Sequence, residues 1–130
     1  MLLSRDAILS ASDRIHEDLF IPEWDGTVRI IGMSGTDRDA WEAQMVDSKG
    51  KPATARLHNF RAKLVSKCIV DEAGERVFTD ADVKALGAKN GQVIDRIFDV
   101  ARRLSGMDAA AVEDAAGNSE SGRSDVSTSA

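Results

Sequence analysis

The chain has 130 residues, which is enough for one domain with a tail and too few for two separate cores. Seventeen basic residues against 22 acidic ones give a net charge of −5, which argues against a protein that binds nucleic-acid phosphates but does not exclude a local basic patch. A single cysteine excludes an intrachain disulfide and a cysteine-based zinc site, and we expect a soluble intracellular protein because no long apolar run or signal-like N-terminus is present.

The first predicted element is a β-hairpin. Residues 16–21 and 27–33 are β-prone runs, and residues 22–26 join them with the sequence Pro-Glu-Trp-Asp-Gly. An Asp-Gly pair between two such runs is typical of a hairpin turn. Trp24 lies at the tip, where it can anchor a partner or fold back onto the sheet, and the sequence leaves both alternatives open.

Two helices are predicted after the hairpin. Thr36 resembles an N-cap because Asp39 follows three positions later, so a helix is expected between Thr36 and a turn at 48–52. A second helix is predicted over residues 56–69, where apolar side chains recur at three- and four-residue steps. These apolar residues are Leu57, Phe60, Leu64, Val65 and Cys68.

A second hairpin and a helix pair are predicted next. Residues 71–75 indicate a tight turn between two short strands. Thr79 is a suitable N-cap for a short helix, which Gly87 can end in the left-handed conformation. The strongest helical pattern runs from about Gln92 to Leu104 and is followed by Gly106 as a possible cap. Its apolar face consists of Val93, Ile94, Ile97, Phe98, Ala101 and Leu104.

The sequence changes character near Gly106. We therefore predict an α+β domain over residues 1–106, with an N-terminal β-hairpin, a mainly helical body and a second short hairpin. Residues 107–116 form at best a marginal helix. Residues 117–130 contain only one sizeable apolar side chain, too little to offset the entropy of ordering, so we predict a disordered linker or tail.

Candidate catalytic and metal-binding clusters are weak. The acidic residues between Asp37 and Glu42 suit the start of a helix better than a metal or general-acid site. A calcium loop beginning at Asp71 fails at its third position, which is alanine. The two histidines are isolated, and Cys68 falls on an apolar helix face. The sequence therefore predicts no catalytic residue, no cofactor and no metal.

The segment from Thr79 to Leu104 imitates a helix-turn-helix. Its lysines and arginines supply some positive charge, but Asp95 and Asp99 on the second helix would face phosphates unfavourably. An αα-hairpin that closes a core is therefore favoured. A small helix-turn-helix-like DNA-binding regulator remains the alternative function.

Three stretches carry a family resemblance: residues 20–30 are FIPEWDGTVRI, residues 32–42 are GMSGTDRDAWE and residues 61–78 are RAKLVSKCIVDEAGERVF. They resemble the patterns V-x-V-P-E-W-G-G-x-V-x-V, G-L-S-G-x-E-R-D-x-F/W-E and R-A-x-L-V-x-x-x-L-V-D-E-x-G-x-R-L-F of the tail assembly chaperones of long-tailed bacteriophages. The similarity spans about residues 5–106. Asp25 is a departure, because it replaces a glycine.

The resemblance implies a non-enzymatic assembly factor that acts in the host cytoplasm and is absent from the mature virion. Such chaperones bind and solubilise the tape measure protein, and a longer form made by programmed ribosomal frameshifting helps recruit the major tail (tube) protein. Self-association is plausible, and no nucleic acid or membrane partner is expected. The candidate partner-binding residues are large side chains near edges or helix faces: Phe20, Trp24, Trp41 and Phe60.

Overall fold

A computed structural model describes residues 1–44 and 59–107. The elements follow in the order α1 (Arg5–Ser10), β1 (His16–Ile21), β2 (Gly26–Ile31), α2 (Gly35–Ala43), α3 (Phe60–Cys68), β3 (Ile69–Val70), α4 (Val83–Gly87) and α5 (Gly91–Leu104). Short 3-10 turns lie at Pro22–Trp24 and Asp80–Asp82. The predicted α+β class is confirmed, and α1 was not predicted.

The sheet has three antiparallel strands in the order β1-β2-β3. β1 and β2 form the predicted first hairpin, with a register that runs from His16 opposite Ile31 to Ile21 opposite Gly26. Side chains alternate between the two faces, and Ile21 and Ile30 are fully buried on the inner face. This inner face forms one wall of the core.

The second hairpin is only partly formed. The turn lies where predicted: the Asp71 N–H donates to the Glu75 carbonyl oxygen at 2.9 Å, and Gly74 takes a φ of +83° that favours glycine. After the turn, however, a single bridge between Val70 and Arg76 replaces the expected second strand. The Val77 N–H also donates to the Ile69 carbonyl oxygen at 3.0 Å, so the second arm of the predicted hairpin is present but shorter than a strand.

Helix α5 matches its predicted limits closely. The Asn90 Oδ1 accepts a hydrogen bond from the Gln92 N–H at 2.8 Å, and Gly106 ends the helix with a φ of +78°. The Met107 N–H then donates to the Arg102 carbonyl oxygen at 2.9 Å. The buried face of α5, which packs against α3 and the sheet, contains Val93, Ile94, Ile97, Phe98, Val100 and Ala101.

The N-cap of helix α2 lies two residues before the predicted one. Ser34, not Thr36, is the N-cap residue, and its Oγ accepts from the Asp37 N–H at 3.1 Å. Ser34 has the extended backbone that capping requires, so the helix begins directly after it and Thr36 already lies inside the first turn. Of the remaining predicted α2 segment, Met45 and the turn at 48–52 lie outside the described residues.

The backbone at Asn59 and at Gly87 differs from the prediction. Asn59 has a φ of +60°, so α3 begins at Phe60 and cannot run through from residue 56; residues 56–58 lie outside the described part. Gly87 is the last helical residue of α4 and does not take the left-handed cap conformation. Gly87 instead allows a close approach, because a Cβ there would lie 2.6 Å from the Asn59 Oδ1.

The core lies between the inner sheet face, α3 and α5. Trp41 of α2 closes one end of it and Leu86 of α4 another, and both are at most 4% exposed. Met107, one residue beyond the predicted domain boundary, is also buried in this core. The predicted marginal helix and tail otherwise lie outside the described residues.

Candidate partner-binding surface

An open apolar groove of about 350 Å³ lies between the first hairpin turn and α4. Apolar side chains provide most of its surface, and one acidic and one basic residue also contribute to the lining. The lining residues are Trp24, Phe78, Asp82, Ala85, Leu86 and Lys89. Such an arrangement can bind an apolar side chain of a partner and fix its orientation through charge.

The hairpin turn carries Trp24 to one wall of the groove. Pro22 opens the 3-10 turn and Asp25 ends it with a φ of +50°. The Glu23 carboxylate binds the Arg96 guanidinium of α5 through both oxygens, at 3.0 and 2.9 Å. This pairing lowers the pKa of Glu23 to about 2. Trp24 is therefore half-buried against the core, with its turn fixed to α5.

A network of charged groups fixes the segment that carries Phe78. The Arg76 guanidinium donates to the Ser66 carbonyl oxygen at 3.2 and 3.1 Å and to Asp80 Oδ1 at 3.2 Å. The Lys67 ammonium, on a side chain almost fully buried in α3, lies 3.7 Å from the same Asp80 oxygen. The hydrogen bond from Arg76 is the main reason that the pKa of Asp80 is lowered. The second wall of the groove is thus attached to α3.

The floor of the groove comes from α4. The Thr79 N–H donates to Asp82 Oδ2 at 2.8 Å, which begins the 3-10 turn that leads into this helix. Leu86 is 4% exposed and joins the core, whereas Ala85 is exposed at the groove surface. Two regions far apart in sequence, the first hairpin turn and the segment from Phe78 to Lys89, therefore meet in one groove.

Two of the four predicted partner-binding residues lie together, but away from the groove. Trp41 is only 1% exposed, and its indole N–H donates to the Phe60 carbonyl oxygen at 3.1 Å. The half-buried Phe60 ring meets Phe98 edge-on, with ring centroids 5.9 Å apart. Trp41 therefore serves the core, and its side chain offers almost no surface to a partner.

Phe20 and Trp24 lie on different surfaces of the hairpin. Phe20 is 56% exposed on β1, an edge strand of the sheet, and it does not line the groove. On this exposed face the Arg29 guanidinium binds the Asp18 carboxylate at 2.8 and 3.0 Å, which lowers the pKa of Asp18. Partner binding by Phe20, Trp24, Trp41 and Phe60 stays a prediction.

Sequence reasoning did not select Phe78, Leu86 or the N-terminal arm, which comprises residues 1–13. No residue of α1, within the arm, is buried. Five large apolar side chains of the arm are more than half exposed: Met1, Leu2, Leu3, Ile8 and Leu9. One sequence signal for α1 was available, because Ser4 is a good N-cap and its Oγ accepts from the Ala7 N–H at 3.1 Å.

A larger depression of about 460 Å³ borders α3 and α5. It is more polar than the groove, and it contains the ion pair between Arg61 and Asp95, whose closest atoms are 3.0 Å apart. The Arg61 guanidinium also lies over the Phe60 ring, 4.6 Å from its centroid. These polar and cation–π contacts make this depression less suited to an apolar partner than the groove.

The cations of α5 are largely engaged by carboxylates of the same chain. Arg96 binds the hairpin turn, Arg103 lies 3.1 Å from Glu17, and Arg102 lies 3.4 Å from Asp99. A phosphate backbone would have to compete with these pairs. The geometry therefore gives the helix-turn-helix alternative no support.

The described residues contain no group of three or more His, Cys, Asp or Glu side chains that could hold a metal ion. The Asp71 carboxylate, at the start of the candidate calcium loop, accepts the backbone N–H groups of Ala73 and Glu75 at 2.9 and 3.0 Å. Burial raises the pKa of the Cys68 thiol to about 12. Within residues 1–44 and 59–107, no helix has the length and apolar character needed to span a bilayer.

Comparisons with known proteins identify one family and one similar fold. A family model described as "Phage tail assembly chaperone" matches residues 4–118. Among solved structures, the tail assembly chaperone of bacteriophage HK97 is similar, with a TM-score of 0.57 and 21% sequence identity. The match covers 76% of this chain and 94% of that chain, and at this identity it shows a shared fold. A comparison with curated proteins gave no match.

Proposed function

Because the chain belongs to the phage tail assembly chaperone family, we propose that it binds and solubilises the tape measure protein during tail assembly. The family match confirms the resemblance seen in the sequence. The observation that carries the proposal beyond the family is the open apolar groove beside Trp24 and Leu86. A chaperone needs such a surface to cover apolar side chains that would otherwise drive aggregation.

The shape of the groove fits one apolar stripe of an amphipathic helix. A helix presents large side chains at three- and four-residue steps, and a groove can take such side chains as anchors. A volume of about 350 Å³ suits one or two of them. Asp82 and Lys89 can then contact polar groups that flank the stripe, which favours a helix with charges of both signs beside its apolar residues.

Weak contact at each copy is part of the proposed mechanism. Burial of one Leu-sized side chain contributes roughly 1.5–3 kcal/mol, so a single groove gives only modest affinity. Many copies along a long partner can nevertheless cover it, and each copy can leave separately. The net charge of −5 keeps such an assembly in solution through mutual repulsion.

The remaining parts of the proposal follow from the family. The protein acts without catalysis in the host cytoplasm and leaves before the virion matures. A longer frameshifted form helps recruit tail-tube subunits, and residues beyond the domain connect the two parts. These steps involve neither nucleic acid nor a membrane as partner.

Co-expression with the tape measure protein tests the proposal. Ala85→Glu places a carboxylate on the exposed floor of the groove without disturbing a buried side chain. We expect the soluble fraction of the tape measure protein to fall to the level seen without chaperone. Ala88→Glu is the matched control, because Ala88 is also exposed and directly follows α4 but does not line the groove.

Phe20→Ser tests the exposed sheet face in the same assay. We expect it to leave tape measure solubility unchanged, since Phe20 lies outside the groove. If Ala85→Glu supports solubility as well as Ala88→Glu does, the groove is not the binding site. If the unaltered chaperone itself fails to solubilise the tape measure protein, the proposed function is wrong.

A further inference from the structure

The groove carries opposite charges at the two ends of α4. Asp82 directly precedes this helix, Lys89 follows it, and both residues line the groove. Lys89 comes seven positions after Asp82, which corresponds to roughly 10 Å at the rise of a helix. Between them Ala85 and Leu86 form the apolar floor, with Trp24 in one wall. The groove therefore has a negative end, an apolar centre and a positive end.

Lys89 can pair with a carboxylate of a partner at little cost. It is exposed, and within residues 1–44 and 59–107 no salt bridge includes it. Cations of α3 and α5 are engaged, by contrast, since Arg61 lies 3.0 Å from Asp95 and Arg96 lies 2.9 Å from Glu23. A carboxylate of a partner can therefore reach Lys89 without displacing a carboxylate of this chain.

The fold holds Asp82 at the negative end of the groove. The Thr79 N–H and hydroxyl group donate to Asp82 Oδ2 at 2.8 and 3.2 Å, and these bonds belong to the capping box that begins the 3-10 turn. Both bonds go to the same oxygen, so the other carboxylate oxygen can accept a hydrogen bond from a cation of a partner. The negative end is thus fixed in position, whereas the positive end is a long exposed lysine side chain.

We propose that the groove recognises a charge pattern on the helix that it binds, and that Lys89 is the residue that determines this specificity. The inference rests on the proposed function, in which the groove binds helices of the tape measure protein. The preferred helix has a cation and an anion about two turns apart, on either side of one or two large apolar residues. Two helical turns rise about 11 Å, which matches the spacing of Asp82 and Lys89 along α4. The apolar residues then enter beside Trp24 while both charges are paired.

Apolar burial supplies the affinity in this arrangement, and the charges supply the choice between helices. An exposed ion pair changes an affinity by up to about fivefold, and a like charge in the same place weakens binding by a similar factor. A helix with both charges matched should therefore bind roughly threefold to tenfold more tightly than a helix with one mismatched charge. At physiological ionic strength the Debye length is about 8 Å, so the net charge of the chain adds little to this difference.

Three helical peptides, titrated into the full chain and followed by nuclear magnetic resonance, test the proposal. Each is an alanine-rich helix with two charged residues seven positions apart and two leucines between them. The mixed peptide carries a lysine and a glutamate, in either order, and the other two peptides carry two lysines or two glutamates. Shifts of the Trp24 indole N–H and of the Ala85 amide report binding in the groove. The unaltered chain should bind the mixed peptide at least about threefold more tightly than either of the others.

Lys89→Glu makes both ends of the groove acidic, so the two-lysine peptide should become its tightest ligand. Lys84→Glu is the matched control, because Lys84 is also exposed, undergoes the same change of charge and does not line the groove. This control should retain the preference for the mixed peptide. Equal affinity of the unaltered chain for all three peptides would overturn the proposal, and so would the same change of preference in both variants.

Co-expression with the tape measure protein separates this inference from the proposed function. Lys89→Glu should reduce the soluble fraction of the tape measure protein, whereas Lys84→Glu should not. If the two variants support solubility equally well, the charge pattern is not used and only this inference is wrong. If none of the three peptides binds the unaltered chain, the groove is not the binding site and the charge pattern is wrong with it.

Discussion

Replacement of Trp41 by alanine should destabilise the domain more than replacement of Trp24, the other tryptophan of the chain. Trp41 is 1% exposed, and a buried tryptophan removes roughly 150–250 Å² from water. Truncation also leaves a cavity and an unpaired Phe60 carbonyl oxygen, which now accepts the indole N–H at 3.1 Å. We expect a loss of about 4 kcal/mol in the free energy of unfolding. That is a large share of the roughly 5–15 kcal/mol typical of a domain.

Urea unfolding followed by far-UV circular dichroism measures this loss. Fluorescence is unsuitable, since the chain has only two tryptophans and the substitution removes one. The midpoint should fall by about 2 M, or the cooperative transition should disappear. Trp41→Phe, which keeps most of the volume and loses the hydrogen bond, should cost about 1–2 kcal/mol.

Trp24→Ala provides the contrast, because Trp24 is only half-buried and packs against the outside of the core. Its expected cost is about 1–2 kcal/mol. A Trp41→Ala protein within about 1 kcal/mol of the unaltered chain, or more stable than Trp24→Ala, would refute the assignment of Trp41 to the core. Such a result would make Trp41 a candidate for partner contact again.

Three further predictions follow from individual contacts. The pKa of Glu23 is lowered from an ordinary 4.5 to about 2 in the folded state, so the ionised carboxylate stabilises the fold above pH 4.5 and this effect is lost as the pH falls towards 2. Glu23→Gln should therefore lower the urea midpoint at pH 7 and match the unaltered chain near pH 2. At pH 8 the Cys68 thiol of the folded protein should react with iodoacetamide at least about 1000-fold more slowly than that of the urea-unfolded chain, because burial raises its pKa to about 12. Comparable rates in the two states would contradict the burial of Cys68. Gly32→Ala should lower the free energy of unfolding, measured in urea, by about 1–3 kcal/mol, because a Cβ there would collide with the Leu104 carbonyl oxygen. Gly35→Ala has open space around it and should be neutral or slightly stabilising, so equal effects would argue against the close approach at Gly32.

The elements with strong local signals could be predicted from the sequence. Helix α5 combines a continuous apolar face with Asn90 before it and Gly106 after it, and each of these signals acts within a few residues. The first hairpin has β-prone runs on both sides of an Asp-Gly pair. Local chemistry and tertiary packing agree in both elements, so sequence reasoning succeeded there.

The errors arose where tertiary contacts decide between two plausible local choices. Ser34 and Thr36 are both good N-caps, and the connection from β2 selects Ser34. Gly87 suits a left-handed cap, but it is retained in the helix and approaches the Asn59 side chain instead. After the second turn only the bridge at Arg76 and one further hydrogen bond form, and the Arg76 guanidinium bonds to Ser66 and Asp80. Sequence proximity reveals none of these partners.

The groove itself could not be predicted, because no local pattern connects its walls. Trp24 precedes Phe78 by more than 50 residues, and each packs against the core from a segment that is also attached to a helix. Glu23 holds the turn to α5 through Arg96, and the Arg76–Asp80 network holds the other wall to α3. The attachment to α5 is an ion pair at the surface and contributes less than core packing, whereas the attachment to α3 also includes the buried Lys67 and the Ser66 carbonyl oxygen. Under the proposed function, a partner can therefore shift the wall formed by Trp24 at lower cost than the core beneath it, which suits binding followed by release.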